Sequence, residues 1–374
     1  MSHGFARTGL ASTVVPPGGS GAWERPGDWL ALPTVNNGDQ KICLLVAIWN
    51  TTNNFLAFTI SGACTVDWGD GSAPQDVASG VKAEKSIAWA DISSSTVTSL
   101  GYRQAIVTIT PQAGQNLTSL NFTVRHSTPS TQHSDGLLDV RLSAPFAASI
   151  TFDTNSNITH NYMEQVEIIG TTAITTCSAM FRNLRVLSSI VGTTAWTANV
   201  TDFSSMFYGC SSLASVPALD TSAGTSFSGM FYYCSSLASV PALDTSAGTN
   251  FSSMFNGCSA LASVPALDTS AGTNFSSMFN GCSALASVPA LDTSAGTSFS
   301  NMFNYCSSLA SVELTGCKYS VSVASGVLSS AALDALYTSL GTAAGAQTIT
   351  VTGNYGTTGD TPSIATGKGW TVTG

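Results

Sequence analysis

The sequence predicts a mainly β protein made of an extended N-terminal arm, a β-sandwich, a solenoid of stacked repeats and a C-terminal cap of helix and strand. Three observations support this prediction. Short segments rich in β-branched and aromatic residues fill residues 36–130, which is typical of a sandwich. A unit of 24 residues then recurs, twice letter for letter, from Asn250 and from Asn274. The repeat stops near residue 320, and an amphipathic helix pattern follows.

Residues 1–35 form the predicted anchoring arm. Residues 14–29 mix Pro and Gly with two tryptophans, Trp23 and Trp29. Pro and Gly disfavour regular elements, whereas two large apolar tryptophan rings are not expected in a linker that makes no contacts. Two interpretations stay open: the arm packs back on the next domain, or it docks on a neighbouring subunit. The N-terminus has no uninterrupted apolar run, so no secretory signal is expected.

Residues 36–130 form the predicted sandwich. Its strand candidates read KICLLVAIW, FLAFTI, CTVDW, KSIAWADI, QAIVTITP and SLNFTV. In residues 65–74, TVDWGDGSAP, the Asp-Gly chemistry predicts a hairpin turn. Asp67 and Asp70 are interpreted as turn-forming carboxylates, with calcium binding as the alternative. This turn resembles the W-x-F-G-D-G motif of PKD-type immunoglobulin-like domains, and the resemblance implies an immunoglobulin-like sandwich.

Residues 131–320 form the predicted solenoid. Phe203, Phe227, Phe251, Phe275 and Phe299 share one phase of the repeat, and Cys210, Cys234, Cys258, Cys282 and Cys306 share another. A period in the twenties with recurrent Leu, Phe and small residues indicates a leucine-rich-repeat solenoid. We expect LASVPAL to form the strand of each coil and FSSMFNGC a helical or 3₁₀ return. The cysteines are expected to be buried reduced thiols, with disulfide or metal roles as alternatives.

Residues 321–374 form the predicted cap. Ser329 is placed as the N-cap of a helix that ends before Gly341. One face of that helix carries Leu333, Leu336, Tyr337 and Leu340. The segments QTITVTGN and GWTVTG that follow are expected to be strands. Such a cap is required because an open solenoid end exposes a strand edge and its core.

Composition excludes several classes of function. Only 9% of the residues are charged, and 12 Lys and Arg stand against 21 Asp and Glu, for a net charge of −9. Nucleic-acid binding requires clustered cations, so none is expected. The longest apolar run, residues 42–49, is far shorter than the ~20 residues that span a bilayer, so no membrane insertion is expected.

No pattern in the sequence indicates catalysis. The four histidines, His3, His126, His133 and His160, do not accompany a recognisable nucleophile motif. The G-x-S-x-G elbow, the phosphate-binding loop, the HExxH motif and the CxxC spacing are all lacking. We therefore expect no enzymatic activity, no cofactor and no metal.

Two sets of repeated side chains are the candidate functional residues. The first is a ladder of carboxylates, interpreted as turn caps, with a calcium-binding column or a sugar- or receptor-binding stripe as alternatives: Asp220, Asp244, Asp268 and Asp292. The second set varies between copies of the repeat, whereas the positions expected in the core keep the same residue. It mixes aromatic and amide side chains, which suit recognition. This candidate recognition face consists of Tyr208, Tyr232, Tyr233, Asn256, Asn280, Asn304 and Tyr305. The alternative is that these side chains are exposed and neutral.

The repeat MFNGCSALASVPALDTSAGTNFSSMF resembles the BspA-type repeats of bacterial surface proteins, a leucine-rich-repeat subfamily. Residues 163–181 resemble the opening coil of such arrays, and residues 25–41 and 328–374 resemble members found in tailed-bacteriophage genomes. The resemblance implies a virion structural protein: a tail fibre, neck or head decoration.

In this interpretation the arm and sandwich attach to other virion proteins of the capsid, neck or tail. The solenoid projects and contacts glycan or protein on the host-cell surface. The protein is expected to be made in the host cytoplasm, to assemble as a homo-oligomer and to reside in the virion. Two alternatives stay open: an adhesin on a bacterial cell surface and a carbohydrate-active enzyme.

Overall fold

The computed structural model describes residues 23–51, 54–127, 136–152, 162–170, 172–192 and 194–374. The chain is mainly β and includes a solenoid of about 9 turns, followed by a short helix and strands. One hydrophobic core extends from Ile42 to Trp370. The predicted solenoid and its C-terminal helix and strands are therefore confirmed. Within the described ranges, no helix is long and apolar enough to cross a bilayer.

Two sheets enclose the N-terminal part of the core. Their strands are β1 Lys41–Ile48, β2 Phe55–Ser61, β3 Cys64–Asp67, β4 Gln75–Val77, β5 Lys82–Ser86, β6 Arg103–Pro111 and β7 Ser119–Asn121. Strands β1, β6, β3 and β4 pair antiparallel in one sheet, and β5, β2 and β7 pair antiparallel in the other. The predicted hairpin is confirmed as β3–β4, with positive φ at Gly69 and Gly71.

The predicted strand KSIAWADI is wrong beyond its first two residues. The strand ends at Ser86, and Trp89–Asp91 is a single 3₁₀ turn. The guanidinium of Arg103 donates hydrogen bonds of 2.8 Å to the carbonyls of both Trp89 and Ile92. It also lies 4.3 Å from the centroid of the Trp89 ring. This tertiary contact, which local propensity does not contain, holds the segment in a turn.

The described part of the arm, residues 23–35, packs on the outer face of β1. The indole of Trp29 is buried there and donates to the hydroxyl of Tyr102 at 2.8 Å. Arg25 forms a 2.9 Å ion pair with Asp139. Because β1 is covered on both faces, its run ICLLVAI is apolar throughout. For these residues the structure favours packing on the next domain; residues 1–22 lie outside the described part.

Replacing Arg25 with Met is expected to destabilise the protein by about 2–3 kcal/mol at pH 7, because it leaves the buried Asp139 carboxylate unpaired. Burial already raises the pKa of Asp139 above its usual value, although Arg25 opposes that shift. A raised carboxyl pKa means that stability falls as pH rises through the folded-state pKa. The deficit of the variant relative to the native chain should therefore shrink as the pH falls, because protonation of Asp139 removes the unpaired charge.

Urea denaturation of both chains at pH 4 and pH 7.5 measures this difference. Adding Asp139→Asn to the Arg25 variant should recover most of the loss at pH 7.5. An equal deficit at both pH values would contradict the assignment of the loss to the carboxylate.

The two sheets continue directly into the solenoid. The strands of this region are β8 Leu137–Ser143, β9 Ser149–Thr151, β10 Gln165–Ile168, β11 Ser189–Gly192, β12 Leu291–Asp292 and β13 Leu314–Thr315. Strand β8 pairs antiparallel with β1 and parallel with β10, which pairs parallel with β11. Strand β9 pairs parallel with β7 of the second sheet. Backbone hydrogen bonds therefore connect the sandwich to the first coils on both sheets.

The predicted helical or 3₁₀ return in FSSMFNGC is wrong. The segment is a series of turns whose alternate N–H groups bond to the next coil, for example Phe203 N to Ser226 O at 2.9 Å and Phe207 N to Met230 O at 2.8 Å. A helix is interrupted because Ser205 and the equivalent residue of each following coil have positive φ. The inter-coil ladder therefore lies here.

The LASVPAL segment is extended, but it is bonded to its neighbours more sparsely than predicted. In the central coils it contributes isolated parallel bridges, such as Ser263 with Ser287 and Ser287 with Ser311. Pro265 and Pro289 within this segment lack an N–H and cannot donate to a ladder. This shortage of donors explains why only β12 and β13 qualify as strands among the later coils.

Two columns of phenylalanine rings form the centre of the stack. Successive centroids within the repeats lie 5.4 to 5.7 Å apart with nearly parallel planes. One column also extends backwards into the sandwich, and its members are Phe58, Phe122, Phe152, Phe181, Phe207, Phe231, Phe255, Phe279 and Phe303. We call it the long phenylalanine column. It ties the sandwich and the solenoid into one core.

Hydroxyl ladders explain the low charge of the chain. Thr245 Oγ1 donates to the carbonyl of Asp268 in the next coil at 2.7 Å. Thr249 Oγ1 donates to Thr225 O at 3.2 Å in the preceding coil, and the same bonds recur along the stack. Such groups satisfy backbone carbonyls between coils, so Ser and Thr occupy positions that charged residues fill in other proteins.

All nine cysteines are buried and unpaired, and they include the five of the repeat column, for which buried reduced thiols were predicted. In the repeat column each thiol donates to a phenylalanine carbonyl of the preceding coil, as Cys258 Sγ does to Phe231 O at 3.0 Å. Burial raises the pKa of both Cys258 and Cys306 to about 12. Thiols of this kind are protonated at neutral pH and unreactive.

The C-terminal segment continues the parallel stack with true helices in its returns. Its elements are β14 Val321–Ser322, α1 Ser330–Ser339, β15 Gln347–Thr350, α2 Ser363–Thr366 and β16 Trp370–Thr373. Helix α1 begins at the predicted cap, since Ser329 Oγ accepts from Ala332 N, and it buries Leu333, Leu336 and Tyr337. Strands β14, β15 and β16 pair parallel. The end of the core is thereby covered.

Candidate functional site

The predicted recognition face lies along one edge of the solenoid, where three columns of side chains run from coil to coil. We call this the tyrosine edge. Its first column is Arg182, Tyr208, Tyr232, Asn256, Asn280 and Asn304, and its second is Asn183, Gly209, Tyr233, Gly257, Gly281 and Tyr305. The third is Arg185, Ser211, Ser235, Ser259, Ser283 and Ser307, in which each serine hydroxyl donates to the preceding carbonyl.

Three tyrosines of the edge form a cluster. The rings of Tyr208 and Tyr232 stack at 4.5 Å with planes 8° apart. Tyr233 meets Tyr232 edge-on, also at 4.5 Å and at 86°. A side chain at Gly257 would place its Cβ 2.5 Å from the ring of Tyr233, so this glycine allows the ring to lie against the next coil. Burial and the neighbouring hydroxyls raise the pKa of Tyr232, which keeps its phenol neutral.

Two tyrosines of the edge occupy backbone positions that favour glycine. Tyr233 has φ of 56° and Tyr305 of 59°, where Gly209, Gly257 and Gly281 have 74° to 77°. A left-handed conformation costs an L-residue about 1–2 kcal/mol, and such outliers cluster at functional sites. Both side chains are well exposed, Tyr233 at 54% and Tyr305 at 70%. Core packing therefore does not account for a tyrosine at either position.

A cleft of about 690 Å³ opens at the N-terminal end of the tyrosine edge. It is lined by Arg182, Asn183, Arg185, Ser205, Tyr208, Gly209, Ser211, Tyr233 and Ser235. In the sequence, Arg182 and Arg185 are the only Lys or Arg residues between Arg141 and Lys318. Both cations of the repeat region therefore line one cleft, beside two aromatic rings.

The structure gathers some of the predicted residues and separates others. Tyr208 and Tyr233 line the cleft, and Tyr232 supports them from behind. Tyr305 and the three asparagines lie further along the edge and take no part in the cleft lining. Arg182 and Arg185 were missed, because the first coil is spaced 26 residues from the second and diverges from the repeat. The available signal was the occurrence of two arginines in a region that otherwise has no Lys or Arg.

The carboxylate ladder has the geometry of turn caps. In each copy one oxygen of the Asp accepts from the N–H and hydroxyl of the Ser two residues later, as Asp244 does from Ser246 at 3.1 and 2.7 Å. These bonds lower the pKa of Asp244. The other copies repeat the pattern at Asp220, Asp268 and Asp292.

The sandwich carboxylates are likewise engaged by protein groups. Asp67 accepts from Gly69 N at 3.0 Å. Asp70 accepts from Ser72 N at 3.1 Å and pairs with the ammonium of Lys85 at 2.5 Å. Within the described residues, no three His, Cys, Asp or Glu side chains are grouped in a way that could hold a metal ion.

The parallel stack, its phenylalanine columns and its exposed variable edge define a repeat solenoid, which is compatible with a surface adhesion-type protein. Residues 148–263 and 238–315 match the sequence model of a family described as Mycoplasma protein of unknown function, DUF285. The two matches together span residues 148–315, which is just under half of the chain. No curated protein matches the chain.

Proposed function

We propose that this chain is a non-enzymatic structural protein of a tailed-bacteriophage virion, a tail fibre, neck or head decoration, that displays its solenoid for surface adhesion. The tyrosine edge carries this proposal. Core columns stay constant between coils while the edge changes, and Tyr233 is held exposed in a conformation that costs free energy. A scaffold that keeps its core and varies one exposed edge is suited to recognition.

The N-terminal region is the proposed attachment point to other virion proteins. Four exposed large apolar side chains occur in or beside the sandwich: Val81, Val97, Leu100 and Phe146, each between 45% and 53% exposed. Exposed apolar side chains favour protein contacts. Backbone bonds between the sandwich and the first coils would transmit this attachment rigidly to the solenoid. Assembly as a homo-oligomer in the virion is part of the same proposal.

Mass spectrometry of particles purified from cultures that carry the gene tests the proposal. We expect peptides of this chain in the particle fraction at a fixed ratio to the capsid proteins. Electron microscopy with an antibody against the repeats should then label one structure on the particle. Absence from the particles, with the chain found instead in the bacterial envelope, would overturn the virion role and favour the adhesin.

A further inference from the structure

We infer that the cleft at the N-terminal end of the tyrosine edge binds an acidic saccharide, a sugar that carries carboxylate or sulfate groups. The inference rests on the proposed role in surface adhesion and names the ligand class for it. It depends on the exposed guanidinium of Arg185, on the aromatic rings of Tyr208 and Tyr233 and on the polar groups that line the same cleft.

Two arginines line the cleft of a chain that has a net negative charge. The protein has a net charge of −9, and no other Lys or Arg occurs between residues 142 and 317. Arg185 is exposed and Arg182 is half-buried at the wall of the cleft. The exposed guanidinium of Arg185 presents parallel N–H donors that match carboxylate or sulfate oxygens in a bidentate arrangement. The ligand is therefore expected to be an anion.

The tyrosines select a ligand that also has an extended weakly polar face. Tyr208 and Tyr233 contribute rings to the wall, and Tyr233 is 54% exposed. The C–H face of a pyranose ring packs on aromatic faces of this kind, which combine an apolar surface with a polar hydroxyl. Tyr233 has a left-handed backbone conformation, which the glycines at the equivalent positions adopt without cost. A tyrosine is therefore present at this position despite its backbone cost, which indicates a role for its ring.

The remaining lining groups are uncharged hydrogen-bonding groups. Ser205, Ser211 and Ser235 supply hydroxyl oxygens that can accept hydrogen bonds, although Ser211 and Ser235 donate to carbonyls of the preceding coil, and such acceptors suit the hydroxyl groups of a sugar. The volume of about 690 Å³ falls within the ~300–1,000 Å³ range of small-molecule sites. Nucleic acid is disfavoured, because two cations neutralise too few phosphates. An acidic saccharide satisfies all three kinds of lining group together.

Isothermal titration calorimetry with the full chain tests the inference. The probes are a sulfated tetrasaccharide, a uronate tetrasaccharide and the neutral tetrasaccharide maltotetraose. We expect at least one acidic probe to bind, with affinity that falls as salt is added, and maltotetraose to bind at least about tenfold more weakly. The two acidic arms distinguish sulfate from carboxylate as the preferred group.

Three variants assign the binding to the cleft. Arg185→Gln and Tyr233→Gly should each weaken the acidic probe about tenfold or more, because each removes a direct ligand contact. Tyr305→Gly is the matched control: it makes the same change at an equivalent positive-φ position outside the cleft. Both glycine variants relieve a positive φ, and only Tyr233→Gly also loses a ring contact with Tyr232. Tyr305→Gly should leave the affinity unchanged.

No binding of either acidic probe at millimolar concentration would overturn the inference, as would equal affinities of the native chain and Arg185→Gln. An equal loss in Tyr233→Gly and Tyr305→Gly would overturn it too. These results are independent of the particle analysis. Virion particles that contain the chain, combined with no saccharide binding, would remove the inference and leave the proposed function standing.

Discussion

A chain that lacks residues 250–273 is expected to fold with one coil fewer. The deleted unit and the next one are identical, so every contact across the new junction has the same partner types as before. Phe227 N, for example, bonds to Asn250 O at 2.9 Å and would bond to Asn274 O after the deletion. The shortened stack should lose about 4.8 Å of length and expose less surface on unfolding. Urea denaturation should show a cooperative transition with a smaller m value.

Deleting only residues 250–261 is the control for this experiment. The 12-residue deletion shifts every later phase by half a coil, so that Phe275 would face neighbours that are not phenylalanine. We expect this chain not to fold, as judged by circular dichroism and by its susceptibility to protease. Unfolding of the 24-residue deletion, or folding of the 12-residue one, would contradict a stack of interchangeable coils.

Replacing Phe255 with Ala is expected to destabilise the protein by about 3–5 kcal/mol. Phe255 is fully buried in the long phenylalanine column, between Phe231 at 5.5 Å and Phe279 at 5.6 Å. The substitution removes two stacked ring contacts and leaves a cavity that neighbouring coils cannot fill without shifting the ladder. Urea denaturation of the native and variant chains measures the difference in the free energy of unfolding.

Phe146→Ala provides the comparison, because its side chain is 49% exposed and lies outside the column. We expect its cost to stay below about 1 kcal/mol. Similar losses for the two variants would contradict the assignment of a large stabilising contribution to the buried ring of Phe255.

Much of the fold could be predicted because residues that pack against each other in the repeats recur at a fixed spacing in the sequence. A residue that contacts its own copy in the next coil must recur at the same phase, so Phe251 and Cys258 could be placed in the core from spacing alone. Helix α1 was predictable for a similar reason, since its cap at Ser329 and its apolar face are local features. The carboxylates of the Asp ladder also bond within two residues, as Asp244 does with Ser246.

The candidate site could be predicted only in part. Tyr208 and Tyr233 were found because they differ from their copies in an otherwise constant pattern. The arginines of the cleft were missed because the first coil departs from the 24-residue period. The alignment of the first coil with the second is given only by contacts in the structure, such as the hydrogen bond of 3.0 Å from Phe181 N to Met206 O. The strained backbone of Tyr233 was also invisible, since a sequence gives no φ.

The sequence by itself determined which side chains are stacked, how many residues make one coil and where the array ends. The tertiary structure alone decided that the FSSMFNGC turns carry the inter-coil ladder, that residues 23–35 cover the outer face of β1, and that Arg182 and Arg185 meet Tyr233 in one cleft. The physical reason is the range of the interactions. Periodic packing repeats a local pattern, so it is visible in the sequence. Only folding brings together the residues of the backbone pairs, of the Arg25–Asp139 ion pair and of the cleft.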